Sequence, residues 1–200
     1  MKYPNSNKVY VKPNISQANR GMSLEEDINA TNRYYLSHDI AVVHKKPTPI
    51  TIVAVDYPRR SAAKITEAYF KVPSTTDYNG IYKGKYIDFE AKECNNRNLF
   101  PFSSIHPHQI RHLDAVSRHG ALAFIILRMT QYNRDFLIRA DDFLQFYNSC
   151  DRKSLPFDWI EENGFEIHGA YQKPCDYLMT VEEAFDLQGA LYDKKNENKS

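Results

Sequence analysis

Cysteine is scarce in this 200-residue chain: Cys94, Cys150 and Cys175 lie far apart, with no Cys-x-x-Cys spacing. So few, in an odd number, argue against a disulfide framework and against a structural zinc site, and make a reducing cytoplasm the expected setting. Long hydrophobic runs are also lacking. Nowhere do 18 apolar residues follow one another, and residues 1 to 8 hold no apolar segment, so neither a membrane span nor a secretion signal is read. Net charge is nearly absent, at +1 with His neutral. What is present in quantity is apolar surface: 42% of the residues are hydrophobic, enough to close the core of one α/β or α+β domain.

The small net charge hides an uneven distribution. Residues 1 to 24 carry Lys2, Lys8, Lys12 and Arg20 with no acid, and residues 44 to 64 carry Lys45, Lys46, Arg59, Arg60 and Lys64 against Asp56 alone. Local clusters of this kind decide phosphate binding, because counterion release depends on the cations that touch the backbone. A solvated surface explains them equally simply. Residues 1 to 20, with Pro4, Pro13 and several Asn and Ser, have no apolar periodicity and read as a basic arm that orders on a partner.

The stretch from Thr75 to Lys92 organises the rest. Lys83-Gly84 fits a two-residue turn, with Gly84 supplying the positive φ such turns require. Counting back from the pair Tyr82 and Lys85 places Asp77 opposite Glu90. Alternation then puts Glu90 and Lys92 on one face and Ile87, Phe89 and Ala91 on the other. Two facing carboxylates stay ionised cheaply only with a cation between them. Hard oxygen ligands without Cys or His suit Mg²⁺, and the neighbouring Lys92 would stabilise charge developing on a phosphate. The pattern therefore fits metal-assisted phosphodiester hydrolysis, and it fits a salt-bridged exposed hairpin as readily on spacing alone.

Around this hairpin the elements are read as follows. Ser23-Leu24-Glu25-Glu26 is a capping box that opens a helix to about His38. Capping accounts for Glu26 and leaves Glu25 free as a further acid toward the metal. Residues 40 to 43 and 50 to 55 read as the two strands of a hairpin whose tip holds the basic Pro47-x-Pro49 loop. Residues 105 to 119 read as a helix with Pro107 at its first position, Gln109 in its first turn and Gly120 past its end. The four histidines of this helix lack metal-binding spacing. Residues 121 to 127 read as a strand buried on both faces, implying a mixed central sheet; residues 134 to 139 are its partner, and 140 to 147 a short helix. Residues 150 to 165 read as irregular, with Trp159 packed on the fold. Thr180-Val181-Glu182-Glu183 reads as a capping box opening a last helix to about Tyr192, and residues 193 to 200 as a tail.

Four runs carry a resemblance: Arg20-Gly21-Met22-Ser23-Leu24-Glu25, Ala41-Val42-Val43-His44-Lys45-Lys46-Pro47-Thr48-Pro49, Tyr57-Pro58-Arg59-Arg60-Ser61-Ala62-Ala63, and residues 74 to 84 from Ser74 through Asp77 to Gly84. Together they resemble RecU, the Holliday junction resolvases of low-GC Gram-positive bacteria within the PD-(D/E)xK nuclease superfamily. The resemblance spans about residues 20 to 192. It implies an α/β, restriction-endonuclease-like core with a mixed central sheet flanked by helices, and a nuclease domain over residues 21 to 192. It also implies a protruding β stalk at about residues 43 to 61, and a homodimer. It further implies Mg²⁺, with Mn²⁺ as a substitute, held at Thr75, Asp77, Glu90 and Gln109, with Lys92 stabilising the transition state and Glu25 at a helix-borne acidic position. Four-way junction DNA is the implied substrate, and RecA an implied partner. The basic arm is shorter than the resemblance leads one to expect. The expectation for function is symmetric paired nicking of a junction whose phosphates meet Lys45, Lys46, Arg59 and Arg60. A PD-(D/E)xK endonuclease acting on linear duplex is the alternative.

Overall fold

The computed structural model describes residues 23–59, 62–71, 75–149 and 151–187. The arm of residues 1 to 20, Arg60 and the tail from residue 193 lie outside the described residues. In chain order the elements are α1 (Leu24–Ser37), β1 (Val42–Lys45), β2 (Ile50–Asp56), β3 (Lys64–Phe70), β4 (Tyr78–Tyr82), β5 (Lys85–Cys94), β6 (Leu99–Pro101), α2 (Pro107–Arg118), β7 (Leu122–Met129), β8 (Arg134–Arg139), α3 (Ala140–Ser149), β9 (Ser154–Pro156), α4 (Phe157–Asn163), β10 (Phe165–Ile167) and α5 (Tyr177–Ala184).

Six strands form one sheet in the order β1-β4-β5-β7-β8-β10. Its neighbours are antiparallel except β5 and β7, which run parallel, so the mixed central sheet expected from the sequence is present. A parallel pair needs a crossover, and here β6 and α2 supply it. The turn at Lys83-Gly84 has positive φ at both residues, 47° and 74°, the backbone that a tight antiparallel hairpin demands. Gly80 serves a different purpose: a Cβ there would lie 2.2 Å from the Val42 carbonyl oxygen, so only glycine lets β1 approach β4.

Two apolar layers enclose the sheet. One packs Leu24, Ile28 and Tyr35 of α1 and Tyr177, Leu178 and Val181 of α5 over Ile87, Phe89 and Phe124. The other packs Leu113 of α2, Phe143 of α3 and Ile160 of α4 over Ile125, Leu127 and Phe136. The β7 residues alternate between them, which is why its sequence is apolar throughout. Tyr78, Phe89 and Phe124 occupy one register position across β4, β5 and β7 and stack as a column, with centroids 4.9 and 4.8 Å apart. The expected cap of α1 forms, with Ser23 and Glu26 exchanging hydrogen bonds; α2 starts at Pro107 as expected and carries a cap that sequence reasoning missed, in which His106 N donates to Gln109 Oε1 at 2.9 Å.

Three expectations are corrected. Residues 40 to 43 and 50 to 55 do not pair with each other; β1 joins β4 at the sheet edge, and β2 pairs with β3 in a separate two-stranded sheet. The reason is burial: Val43 has a core to enter, whereas β2 and β3 expose nearly every side chain. The exposed hairpin therefore spans residues 50 to 70, with its turn near Arg59. Residues 151 to 165, expected to be irregular, hold β9, α4 and the start of β10, with Trp159 on α4 tilted against Phe146 at 5.0 Å. Elements this short leave too few periods to read. The last helix begins at Tyr177 and closes at Ala184, with Thr180 buried inside it. A capping-box pattern is thus present in the sequence and unused, because Tyr177 and Leu178 already face the core.

Candidate active site

Strand alternation on β5 sends Ile87 and Phe89 toward α1 and α5, and sends Asp88, Glu90 and Lys92 toward α2. The next rung beyond Tyr78 and Phe89 brings Asp77 to Glu90, and Asp77 N donates to Glu90 Oε2 at 3.2 Å. Lys92 Nζ lies 2.6 Å from Glu90 Oε1. From α2, Gln109 Nε2 donates to the same oxygen at 2.7 Å. Asp77, Glu90, Lys92 and Gln109 are thus brought together at the centre of the sheet.

Glu90 is fully buried. Burial first, and then the neighbouring Asp77, push its carboxyl up to about 8, with the Lys92 ammonium pulling the other way. A carboxyl raised by burial and by a neighbouring acid is one whose charged form a cation would favour. Among the described residues no three His, Cys, Asp or Glu side chains surround one point. A cation here would therefore draw on the two carboxylates, on backbone or amide oxygens, and on water and phosphate. That donor set fits Mg²⁺, which keeps waters and borrows phosphate oxygens. Gln109 gives its side-chain oxygen to the cap of α2 and its amide hydrogens to Glu90, so in this arrangement it holds Glu90 in place. Thr75 turns its hydroxyl to the Thr76 carbonyl oxygen at 3.3 Å.

The remaining predicted residues lie elsewhere. Lys45 pairs with Tyr78 in the ladder and so faces the α1 side, where its Nζ meets Glu25 Oε1 at 2.5 Å. Both are half-exposed, so the pair contributes little to stability. Lys46 points to the opposite side and is engaged with Asp88 and Thr76. Arg59 is exposed in the turn of the β2–β3 hairpin, where its carbonyl accepts from Ala62 N at 2.9 Å. Sequence reasoning missed Asp88, Thr76 and His112. The signal was available for Asp88, since Asp88, Glu90 and Lys92 share the face of one strand; for His112 it was not, because that requires knowing that α2 lies over β5.

A mixed sheet flanked by helices, with Glu90 and Lys92 on the strand that leads its parallel pair and Asp77 beside them, defines an α/β protein with an acidic cluster at the centre of the sheet. The chain belongs to the RecU family, whose model, described as Recombination protein U, matches residues 19–183. The Holliday junction resolvase RecU of Geobacillus sp. (strain WCH70) is 55% identical over 170 residues, covering 84% of this chain and 85% of that one. That of Geobacillus kaustophilus (strain HTA426) is 50% identical over 196 residues, covering 92% and 98%. A solved structure of Archaeoglobus fulgidus Hjc, a Holliday junction resolvase from an archaeal hyperthermophile, is a distant likeness at 13% identity and TM-score 0.41, over 71% of this chain and 92% of that one.

Proposed function

We propose that this protein is an endonuclease that resolves Holliday junctions by paired symmetric nicks, acting in the cytoplasm as a homodimer with Mg²⁺. The observation that carries this reading is the meeting of Asp77, Glu90 and Lys92 in a chain at least half identical to proteins named Holliday junction resolvase RecU. Asp77 and Glu90 would hold the metal, with Thr75 and Gln109 as the further ligands implied by the family. A bound divalent cation supplies Lewis acidity and a water of lowered pKa. Gln109 keeps Glu90 oriented, and Lys92 presents its ammonium to the phosphate oxygens that gain charge. Glu25 is an acidic group at the rim, exchanging Lys45 with the DNA. Two sites related by a two-fold axis suit a substrate that approximates the same symmetry. RecA is proposed as a partner on family likeness alone.

Cleavage of a mobile four-way junction, mapped at nucleotide resolution beside a linear duplex of the same sequence, tests this. The expected result is symmetric nicks in the junction, dependent on Mg²⁺, with the duplex left intact. Equal cleavage of both substrates favours the duplex endonuclease, and no cleavage in Mg²⁺ or Mn²⁺ removes the reading.

Binding has its own prediction. Lys45 and Arg59 are exposed, at the sheet edge and on the β2–β3 hairpin, and are proposed to contact phosphates. Lys45→Ala with Arg59→Ala should weaken junction binding and lower the slope of log K against log salt by about 1 to 2, since each phosphate contact contributes roughly 0.9 to it. An unchanged slope, measured by anisotropy from about 50 to 200 mM salt, would show that neither touches the backbone.

A further inference from the structure

Asp88 lies two positions before Glu90 on the same strand face, is fully buried, and has no part in the chemistry described above. Its partners come from four places in the chain. Lys46 Nζ donates to Oδ2 at 2.8 Å, the Tyr86 hydroxyl donates to the same oxygen at 2.8 Å, and the Thr76 hydroxyl donates to Oδ1. From α2, His112 Nε2 stands 3.3 Å from Oδ2, off the alignment of a hydrogen bond.

The positions of these partners give the cluster its meaning. Lys46 directly follows β1, immediately before the Pro47-x-Pro49 passage that leads to the exposed β2–β3 hairpin. Its backbone N donates to the Asp77 carbonyl at 2.7 Å while its side chain also binds Thr76 Oγ1 at 2.9 Å. Thr76 sits between Thr75 and Asp77. On α2, Gln109 meets Glu90 and His112 meets Asp88, so one helix turn spans both carboxylates. Asp88 therefore fastens together the root of the hairpin, the segment that carries Asp77, the strand that carries Glu90 and the helix that orients it. A buried ion pair is a poor source of stability, since an apolar pair of similar volume is often as good. Its placement fits a geometric task better.

We infer that Asp88 is a positioning residue, which through Lys46 and Thr76 holds the Asp77 segment in register with Glu90 and ties the root of the β2–β3 hairpin to the metal site. The inference rests on the reading of Asp77 and Glu90 as the site of cleavage. The two acids on β5 thus divide the work, Glu90 toward the reacting phosphate and Asp88 toward the frame.

The test is a paired substitution, Lys46→Met with Asp88→Asn, which removes both charges together while the amide keeps partners in Thr76 and Tyr86. Cleavage is measured under Mg²⁺ titration, with junction binding and thermal melting measured in parallel. The expected result is a melting temperature within a few degrees of the parent and a junction KM within about twofold. The cleavage rate at saturating Mg²⁺ should fall at least about tenfold, with the Mg²⁺ midpoint raised at least about fivefold. Thr76→Val leaves the Lys46–Asp88 pair intact and serves if the double variant does not fold; it should raise the Mg²⁺ midpoint at least about threefold. A parental rate and midpoint in the folded double variant, or in Thr76→Val if the double does not fold, would overturn the inference. Glu90→Gln is run alongside: if it is inactive while those variants behave as the parent, Asp88 is structural and the site reading survives. If Glu90→Gln cleaves normally, both readings fall.

Discussion

Glu90→Gln should abolish junction cleavage, by a factor on the order of 10² to 10³ or more, while junction binding changes little. The substitution keeps size and hydrogen-bonding reach, so Gln109 and the Asp77 amide retain a partner, and what is lost is the charge that a divalent cation needs. The same variant reports on pH. Folded Glu90 keeps its proton up to about 8, whereas in the unfolded chain it releases it near 4.5, the ordinary glutamate value. Between those limits the folded state binds the extra proton, so stability is fully present below the lower value and is lost as pH rises through the upper one. In EDTA the parent's melting temperature should therefore decline from about pH 5 to about pH 8. Glu90→Gln should flatten that component of the decline, and Mg²⁺ should offset it in the parent. A parent and variant with the same pH profile in EDTA would mean that Glu90 is not the crowded carboxyl the structure shows.

Phe89→Ala should be the most damaging core substitution on β5. The ring is fully buried, stacked between Tyr78 and Phe124 and tilted on Tyr177, so its removal opens a cavity bounded by three elements that cannot all collapse into it. Truncations of this kind cost about 3 to 5 kcal/mol, or roughly 6 to 20 °C in melting temperature for a chain this size. Because Phe89 separates Asp88 from Glu90, Mg²⁺ affinity should weaken along with stability. A loss below about 1 kcal/mol, from chemical denaturation, would show that the aromatic column does not organise the sheet.

Much of the site was legible because it is local. A hairpin with a two-residue turn fixes register by counting, so the meeting of Asp77 and Glu90 and the placement of Lys92 beside them follow from positions 82 to 85 alone. The helix cap at Ser23 was legible for the same reason, being a contact three residues long. What could not be read was which segments separated in sequence share a rung. The hairpin expected between residues 40 to 43 and 50 to 55 had sound local credentials, yet β1 went to β4, since Ala41 and Val43 gain burial there that a free hairpin would deny them. Lys45 and Lys46 look alike in the sequence, and the pleat sends one toward Glu25 and the other into a buried pair with Asp88.

The sequence by itself determined the chemistry: its motifs, its carboxylate pair and its lysine are set by residue identity and by short-range geometry that no distant contact overrides. Tertiary structure alone decided the surroundings of that chemistry, namely which strand receives β1, which residues form the exposed β2–β3 hairpin, and that α2 lays Gln109 and His112 over Glu90 and Asp88. The physical reason is that backbone turns and caps are settled within a few residues, whereas pairing between remote strands is settled by the apolar surface each arrangement buries, a quantity that exists only once the whole chain has packed.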